Sequence, residues 1–273
     1  MIFVLADGLR PDAISPSHMP SLYALGSAYT RALHARTVRP SATVAALASL
    51  ATGVGPMTHR LIEPGLGFLP RLGALRPVAR ELGKRGIAVD IVTSELAAGI
   101  LPVAWALATT AGARRLLPAG GRARETAAAA RGVALESTGD SLLFVYLPDC
   151  DRTGHAHGWM SAPYVEAAAE VDAAIGLLSG LSDDAVFVIV ADHGGGGVHP
   201  QDHDEPHPTN DHIPLILAGP GVTRCHELTR SISLLDLPAT ILWWFGCAVP
   251  PCYEGRALAE AFHHTPSVDP VPV

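Results

Sequence analysis

Short apolar runs alternate with amphipathic stretches along this chain, and polar residues collect where the apolar runs stop. Runs rich in β-branched or aromatic residues lie at 2–6, 87–93, 142–147 and 186–191, with a fifth at 214–218. None alternates strictly with polar residues, so each reads as a strand buried on both faces, as in a parallel sheet. Helical periodicity falls between them, at 19–27, 43–51, 75–85, 162–178 and 234–245. Strand alternating with helix predicts a doubly wound α/β sandwich whose mostly parallel sheet is covered by helices on both faces. Residues 96–139 are rich in Ala and Arg and read as helical with a Gly-rich break at 119–121. They form either a minimal cap or one side of the sandwich. The expectation is a single domain over 1–264, with a variable segment at 95–140 and a loose Pro-rich tail at 265–273.

Composition narrows the function classes. The 273 residues are 48% hydrophobic and 16% charged, enough for one large core. A net charge of −7 argues against a nucleic acid polymer as partner. It leaves room for a small phosphorylated substrate, because a bound metal sets the local charge. No apolar run reaches the roughly 18–20 residues that span a bilayer. "MIFVLA" meets Asp7 without the basic segment or cleavage site of a secretory leader. The protein is therefore expected to be cytoplasmic, with no membrane partner. Its four cysteines, at 150, 225, 247 and 252, form no CxxC pair and read as free, mostly buried thiols. Cys247 and Cys252 would bridge only in the presence of an oxidant. Nothing in the pattern fixes an oligomeric state.

Candidate chemistry sits at the strand ends. Asp7 follows the first run, Asp149 and Asp151 the third, and Asp192 and His193 the fourth. The carboxyl ends of strands in an open α/β sheet form its ligand crevice, so these three segments should converge. A lone Asp or His at a strand end is ordinarily a turn or cap residue; three such ends together point to a metal. Asp151 and His155 are four apart in "DRTGH", and Asp192 and His193 are adjacent in "ADHGG". Carboxylate oxygen with imidazole nitrogen suits zinc or a similar divalent ion. The loop "HGGGGVHPQDHDEPHPTNDH" carries five histidines, at 193, 199, 203, 207 and 212. Its glycines and prolines rule out a helical face, so one of them completes a metal site while the rest face substrate or solvent. Asp149 competes with Asp151 as ligand but reads as a turn residue or a support to the site. His157 orients a ligand, meets substrate or lies in solvent. Trp159 and Tyr164 read as rim aromatics packed on their own loop, with stacking on a leaving group as the alternative. Trp243, Trp244 and Phe245 read as core.

Seven segments, in order, resemble the alkaline phosphatase superfamily, in particular its branch of type I phosphodiesterases and nucleotide pyrophosphatases. They are "FVLADGLRPD", "MPSLYALGSAYTRALHARTVRPSAT", "LASLATGVGPMTH", "VYLPDCDRTGHAHG", "VIVADHGGGG", "IPLILAGPGV" and "SLLDLPATILWWFGCAVPPCYEGRAL". Only residues of about 95–140 lack a counterpart. The resemblance implies an alkaline-phosphatase-like fold, two divalent ions (zinc, with manganese as the alternative) and a hydroxyl nucleophile. Carried over by motif, Asp151, His155 and His203 hold one ion, with His199 and His207 as fallbacks for His203. Asp7, Asp192 and His193 hold the other, beside the nucleophile's oxygen. The family nucleophile follows a proline by three residues and opens a helix, which places it at Thr43 in "PSAT"; Ser41 is the competing hydroxyl. A helix N-terminus also favours an incoming phosphate, and a threonine needs a metal or base to lose its proton. Without a metal nearby, Thr43 would read as an N-cap and nothing more.

The implied reaction is hydrolysis of a phosphate ester or anhydride by double in-line displacement through Thr43. One departure bears on substrate. The branch has an asparagine three residues after the nucleophile, where this chain has Ala46, followed by Leu47 where histidine is frequent. Arg10, Arg39 or a histidine of the 199–207 loop would have to replace that phosphate contact, and monoester against diester preference stays open. Sulfatases need a Cys or Ser with Pro and Arg at fixed spacing, which "RPSATVAAL" lacks. Cofactor-independent phosphoglycerate mutases carry an inserted domain for which this chain is too short. Phosphonate hydrolysis by the same kind of site, and a metal-binding relative without turnover, are the remaining alternatives.

Overall fold

In the computed structural model, residues 1–62, 73–96, 101–181 and 184–263 are described. The loose tail expected at 265–273 lies outside them, as do residues 97–100 of the variable segment. The chain runs β1 (Ile2–Ala6), α1 (Pro20–Ala28), β2 (Thr30–Arg36), α2 (Thr43–Thr52), α3 (Pro56–His59), α4 (Val78–Gly83) and β3 (Ala88–Thr93). It continues through α5 (Leu101–Ala111), β4 (Arg115–Pro118), α6 (Ala123–Leu135), β5 (Ser141–Leu147), α7 (Asp149–His157) and α8 (Ala162–Ser179). It closes with β6 (Phe187–Val190), α9 (Pro208–Asp211), β7 (His212–Ala218), β8 (His226–Glu227) and α10 (Asp236–Trp244).

One eight-stranded sheet, ordered β4-β3-β5-β1-β6-β7-β2-β8, forms the centre. Every residue of β1 and β6 is buried, as continuous apolar runs between two helix layers require. Helices α1, α6 and α7 pack around α8, while α2, α4 and α10 pack on one another. The buried carboxylate of Asp172 on α8 accepts hydrogen bonds from the Ser21 and Leu22 amides at 3.1 and 2.7 Å. It satisfies the first turn of α1, whose N-cap side chain contributes nothing.

Strands β2 and β8 lie outside the apolar runs of the pattern, and two further strands depart from expectation. Residues 212–218 form a strand that is antiparallel to both β6 and β2. The consequence is topological: the loop between β6 and β7 leaves and re-enters the sheet at the same end of the strands, which keeps His193 and His203 beside Asp151. Residues 115–118, expected to be helical, pair parallel with β3 as the edge strand β4. Within the 96–139 segment, β4 extends the edge of the sheet, α5 packs on α4 and α6 on α8, and the Gly-rich break at 119–121 joins β4 to α6. The four cysteines are free, but only Cys150 and Cys247 are buried; Cys225 and Cys252 are exposed. Trp243, Trp244 and Phe245 are half-buried against the core. Among the described residues no helix is long and apolar enough to cross a membrane.

Candidate metal centre and active site

Strand register brings the three acidic segments together. In the order β5-β1-β6, Ala6 lies opposite Leu147 and Leu5 opposite Val190, so all three strands end at one level. Asp7, α7 and Asp192-His193 follow directly. The stretch after β5 is a helix, although its polar sequence carries no helical period. Asp151 and His155 are therefore one turn apart on one face of α7, with His155 Nε2 3.4 Å from Asp151 Oδ1. Gly8 makes the close approach of β1 to α7 possible. Its φ is +68°, and a Cβ there would lie 2.7 Å from the Cα of Asp151. The glycines of "HGGGG" act through packing in the same way: a Cβ on Gly194 would meet the Thr209 carbonyl oxygen at 1.9 Å, and one on Gly195 the Trp159 ring at 2.1 Å.

The histidines are presented in one protonation pattern. His155, His193 and His203 each direct Nδ1 at a backbone carbonyl, of Gln201 (2.9 Å), Gly194 (2.8 Å) and Ser41 (2.6 Å). A carbonyl only accepts, so Nδ1 carries the hydrogen and Nε2 is left with its lone pair, the arrangement of a metal-binding imidazole. His203 and His155 bring their Nε2 atoms to 3.1 Å of each other. Two lone pairs at that separation repel unless a cation draws them. Burial, then the proximity of the His193 imidazole, pushes the His203 pKa down to about 4, so this ring is neutral near pH 7.

Three carboxylate oxygens face the same space without a hydrogen-bond donor among the described residues: Asp7 Oδ1, Asp151 Oδ1 and Asp192 Oδ2. The His193 Nε2 lies 3.4, 4.0 and 3.5 Å from them. The other oxygen of Asp192 is occupied by the amides of Gly8 (3.1 Å) and His193 (3.0 Å). Burial, then the neighbouring Asp192 and Asp151 carboxylates, raises the Asp7 pKa well above the usual range; burial also raises that of Asp151. Buried unpartnered carboxylates are costly alone and suit a divalent cation. Two compact groups of donors result: Asp151, His155 and His203, and Asp7, Asp151 and His193. Asp151 belongs to both, whereas the sequence reading gave it to the first alone. The residues present fit a metal.

Thr43 opens α2, and its hydroxyl stands 3.3 Å from His193 Nε2 and 3.5 Å from Asp7 Oδ2, to which it donates. The N-cap position is Ala42, not Thr43, and its side chain makes no capping hydrogen bond to the first-turn amides of α2. The competing hydroxyl, Ser41, is buried and donates to the carbonyl of His203 at 2.6 Å. Ala46 is buried and offers no donor.

The residues named for substrate contact are largely engaged elsewhere. Arg10 donates through Nε and Nη2 to Asp12 (2.8 and 2.5 Å) and through Nη1 to the Gly195 carbonyl (3.2 Å). Arg39 is paired with Asp211. His199 is exposed, 3.5 Å from Glu205. His207 caps α9, its Nδ1 accepting from the Thr209 amide at 3.2 Å. His157 is exposed at the end of α7, and Asp149 accepts from the Ala123 amide at the start of α6 (3.1 Å).

Three aromatic residues do more than the pattern suggested. Tyr146, at the end of β5, donates its hydroxyl to Asp7 Oδ2. Trp159 and Tyr164 are both buried and both donate to the Gly8 carbonyl at 2.9 Å, fixing the turn that carries Asp7. The apolar surroundings of Tyr146 conceal its role in the sequence: "FVYLP" reads as strand filler.

With this geometry in view, likeness to known proteins is specific. A family model described as "Type I phosphodiesterase / nucleotide pyrophosphatase" matches residues 1–65 and 104–228. Phosphonate monoester hydrolase SpPMH from Silicibacter pomeroyi superposes with a TM-score of 0.70 at 18% identity, over 97% of this chain and 77% of that one. The phosphonate monoester hydrolase of Agrobacterium radiobacter gives 0.69 at 15%, over 96% and 76%. Ps i-CgsB gives 0.72 at 14%, over 96% and 75%. At these identities the structures share the fold.

Proposed function

The chain belongs to the type I phosphodiesterase / nucleotide pyrophosphatase family, and from that starting point we propose that it is a metal-dependent hydrolase of phosphate esters with Thr43 as nucleophile. The observation that carries this reading is the convergence of three donor-less carboxylate oxygens and three imidazole lone pairs beside one hydroxyl at a helix N-terminus. Asp151, His155 and His203 would hold one divalent ion, and Asp7, Asp192 and His193 a second, with Asp151 Oδ1 close to both. The mixed oxygen and nitrogen donor set suits zinc, with manganese as the alternative. Such ions supply Lewis acidity and positive charge at the attacking and leaving oxygens.

The chain's own residues supply position and proton handling. Thr43 Oγ1 attacks phosphorus in line, with Asp7 Oδ2 placed to draw its hydrogen. The bond to the leaving oxygen breaks as the phosphothreonine forms. The first-turn amides of α2 hold the non-bridging oxygens. Water then cleaves the phosphothreonine and regenerates the hydroxyl. Arg10 and Arg39 are already paired, and Ala46 brings no donor to the phosphate. A dianionic monoester lacks the additional cation it favours. The reading is therefore a singly charged ester of a small metabolite or nucleotide, a phosphodiester first. A phosphonate monoester is the second reading, favoured by the fold neighbours that hydrolyse such esters.

The test is hydrolysis of bis-p-nitrophenyl phosphate, p-nitrophenyl phosphate and p-nitrophenyl phenylphosphonate by protein loaded with zinc or manganese. Turnover should be fastest on one of the two singly charged esters. Thr43→Ala should lose about 10³-fold or more, since loss of a hydrolase nucleophile costs up to about 10⁶. Full turnover by Thr43→Ala would refute the nucleophile. Metal binding without turnover on any ester would favour a non-catalytic relative.

A further inference from the structure

We propose that Ser41 is a positioning residue that fixes His203 and Thr43 to one rigid segment, so that the cation position of Asp151, His155 and His203 and the nucleophile are set together. The inference rests on the roles given above to His203 and Thr43. Two hydrogen bonds carry it. The Ser41 hydroxyl donates to the His203 carbonyl, and His203 Nδ1 donates to the Ser41 carbonyl, both at 2.6 Å. The partners are 162 residues apart in sequence, and both are buried.

The two bonds have different effects. The one from Nδ1 fixes the ring's tautomer and turns Nε2 toward Asp151, 3.8 Å away, and toward His155. The one from the hydroxyl holds the His203 peptide, and so anchors the loop between β6 and β7, a Gly- and Pro-rich segment with little regular structure of its own. On the other side, the Ala42 amide donates to the Pro40 carbonyl at 2.9 Å, and Thr43 follows as the first residue of α2. A displacement of the His203 loop therefore acts on the peptide two residues before the nucleophile. Hydrogen bonds to a ligating histidine commonly tune metal affinity by about 10–100-fold. Here the same contact also reaches the attacking oxygen.

Zinc titration calorimetry with steady-state kinetics at saturating zinc separates this role from plain satisfaction of a buried carbonyl. Ser41→Ala should weaken one zinc-binding step by about 10–100-fold and leave the other unchanged. Its kcat should fall even when zinc saturates, with KM little changed. Ser41→Thr keeps the hydroxyl and should restore both. Should Ser41→Ala fail to fold, Ser41→Thr decides: wild-type affinity and kcat support the proposal, and loss of either overturns it. Wild-type zinc binding and kcat in a folded Ser41→Ala overturn it as well. Thr43→Ala and His203→Ala, measured in parallel, separate the two levels. If they lose activity while Ser41→Ala does not, only the role of Ser41 falls. If they keep full activity, the reading of the site falls.

Discussion

The two donor groups beside Thr43 share Asp151 but are built differently. The inner one is made by strand ends: Asp7, Asp192 and His193 are at most 1% exposed. Their places follow from the β5-β1-β6 register and from a Gly8 turn held by Trp159 and Tyr164. The outer one is assembled from a helix and a loop. The His155 side chain is 45% exposed, and His203 depends on a segment anchored through Ser41. Sheet register is a property of the whole core, whereas the loop rests on a few hydrogen bonds. The inner position should therefore be preorganised and hard to empty, the outer one exchangeable.

Substitution of one histidine in each group gives the largest expected contrast. His193→Ala should lose at least about 10²-fold in kcat, with no recovery at high zinc, because a direct ligand should matter more than the supports worth about 10–100-fold. His155→Ala should show weaker zinc binding that excess zinc partly offsets. Zinc titration of activity checks both, and equal rescue of the two variants would erase the distinction. Tyr146→Phe should have a smaller effect. It removes the hydroxyl that orients Asp7, and a loss of about 10-fold in affinity at the inner position is expected, leaving the outer step unchanged. Calorimetry that finds the loss in the outer step instead would contradict this.

Asp7→Asn sharpens the comparison from the side of stability. The raised pKa of Asp7 comes first from burial and then from Asp192 and Asp151, so in metal-free protein its ionised form is unfavourable. A carboxyl raised on folding favours the fold fully below its unfolded value, near 3.8, and loses that contribution as pH rises through the folded value. Metal-free Asp7→Asn should therefore melt above metal-free wild type at neutral pH, and the gap should close as pH falls toward 3.8. Each kcal/mol would appear as roughly 2–4 °C in a chain of this size. A lower Tm for the variant at neutral pH would refute the repulsion among the three carboxylates.

Much of the inner group was legible in sequence because it rests on local pattern. Buried parallel strands are continuous apolar runs, and an Asp or Asp-His directly after three of them outweighs the turn-or-cap reading that each would have alone. The outer group was less legible. Which histidine of the 199–207 loop joins Asp151 depends on where the loop settles, and only the family likeness pointed to His203. The helix α7 escaped notice because "DCDRTGHAHG" is polar and short of the residues that favour helices. The strand β4 escaped because four residues ending in proline, inside an Ala-rich segment, give no period to read. Pro214–Ala218 was recognised as strand-forming, but its direction was not, since burial on both faces looks the same whichever way a strand runs. Tyr146 and Ser41 act through partners 139 and 162 residues away, a relation absent from any local window.

Two cation positions are proposed to meet at Asp151, next to the Thr43 hydroxyl. The most direct measurement is anomalous scattering at the zinc edge from crystals grown with zinc. Two peaks are predicted, one enclosed by Asp151, His155 and His203, the other by Asp7, Asp192 and His193. A single peak, or zinc bound instead at His199 and His207, would refute the paired cation positions.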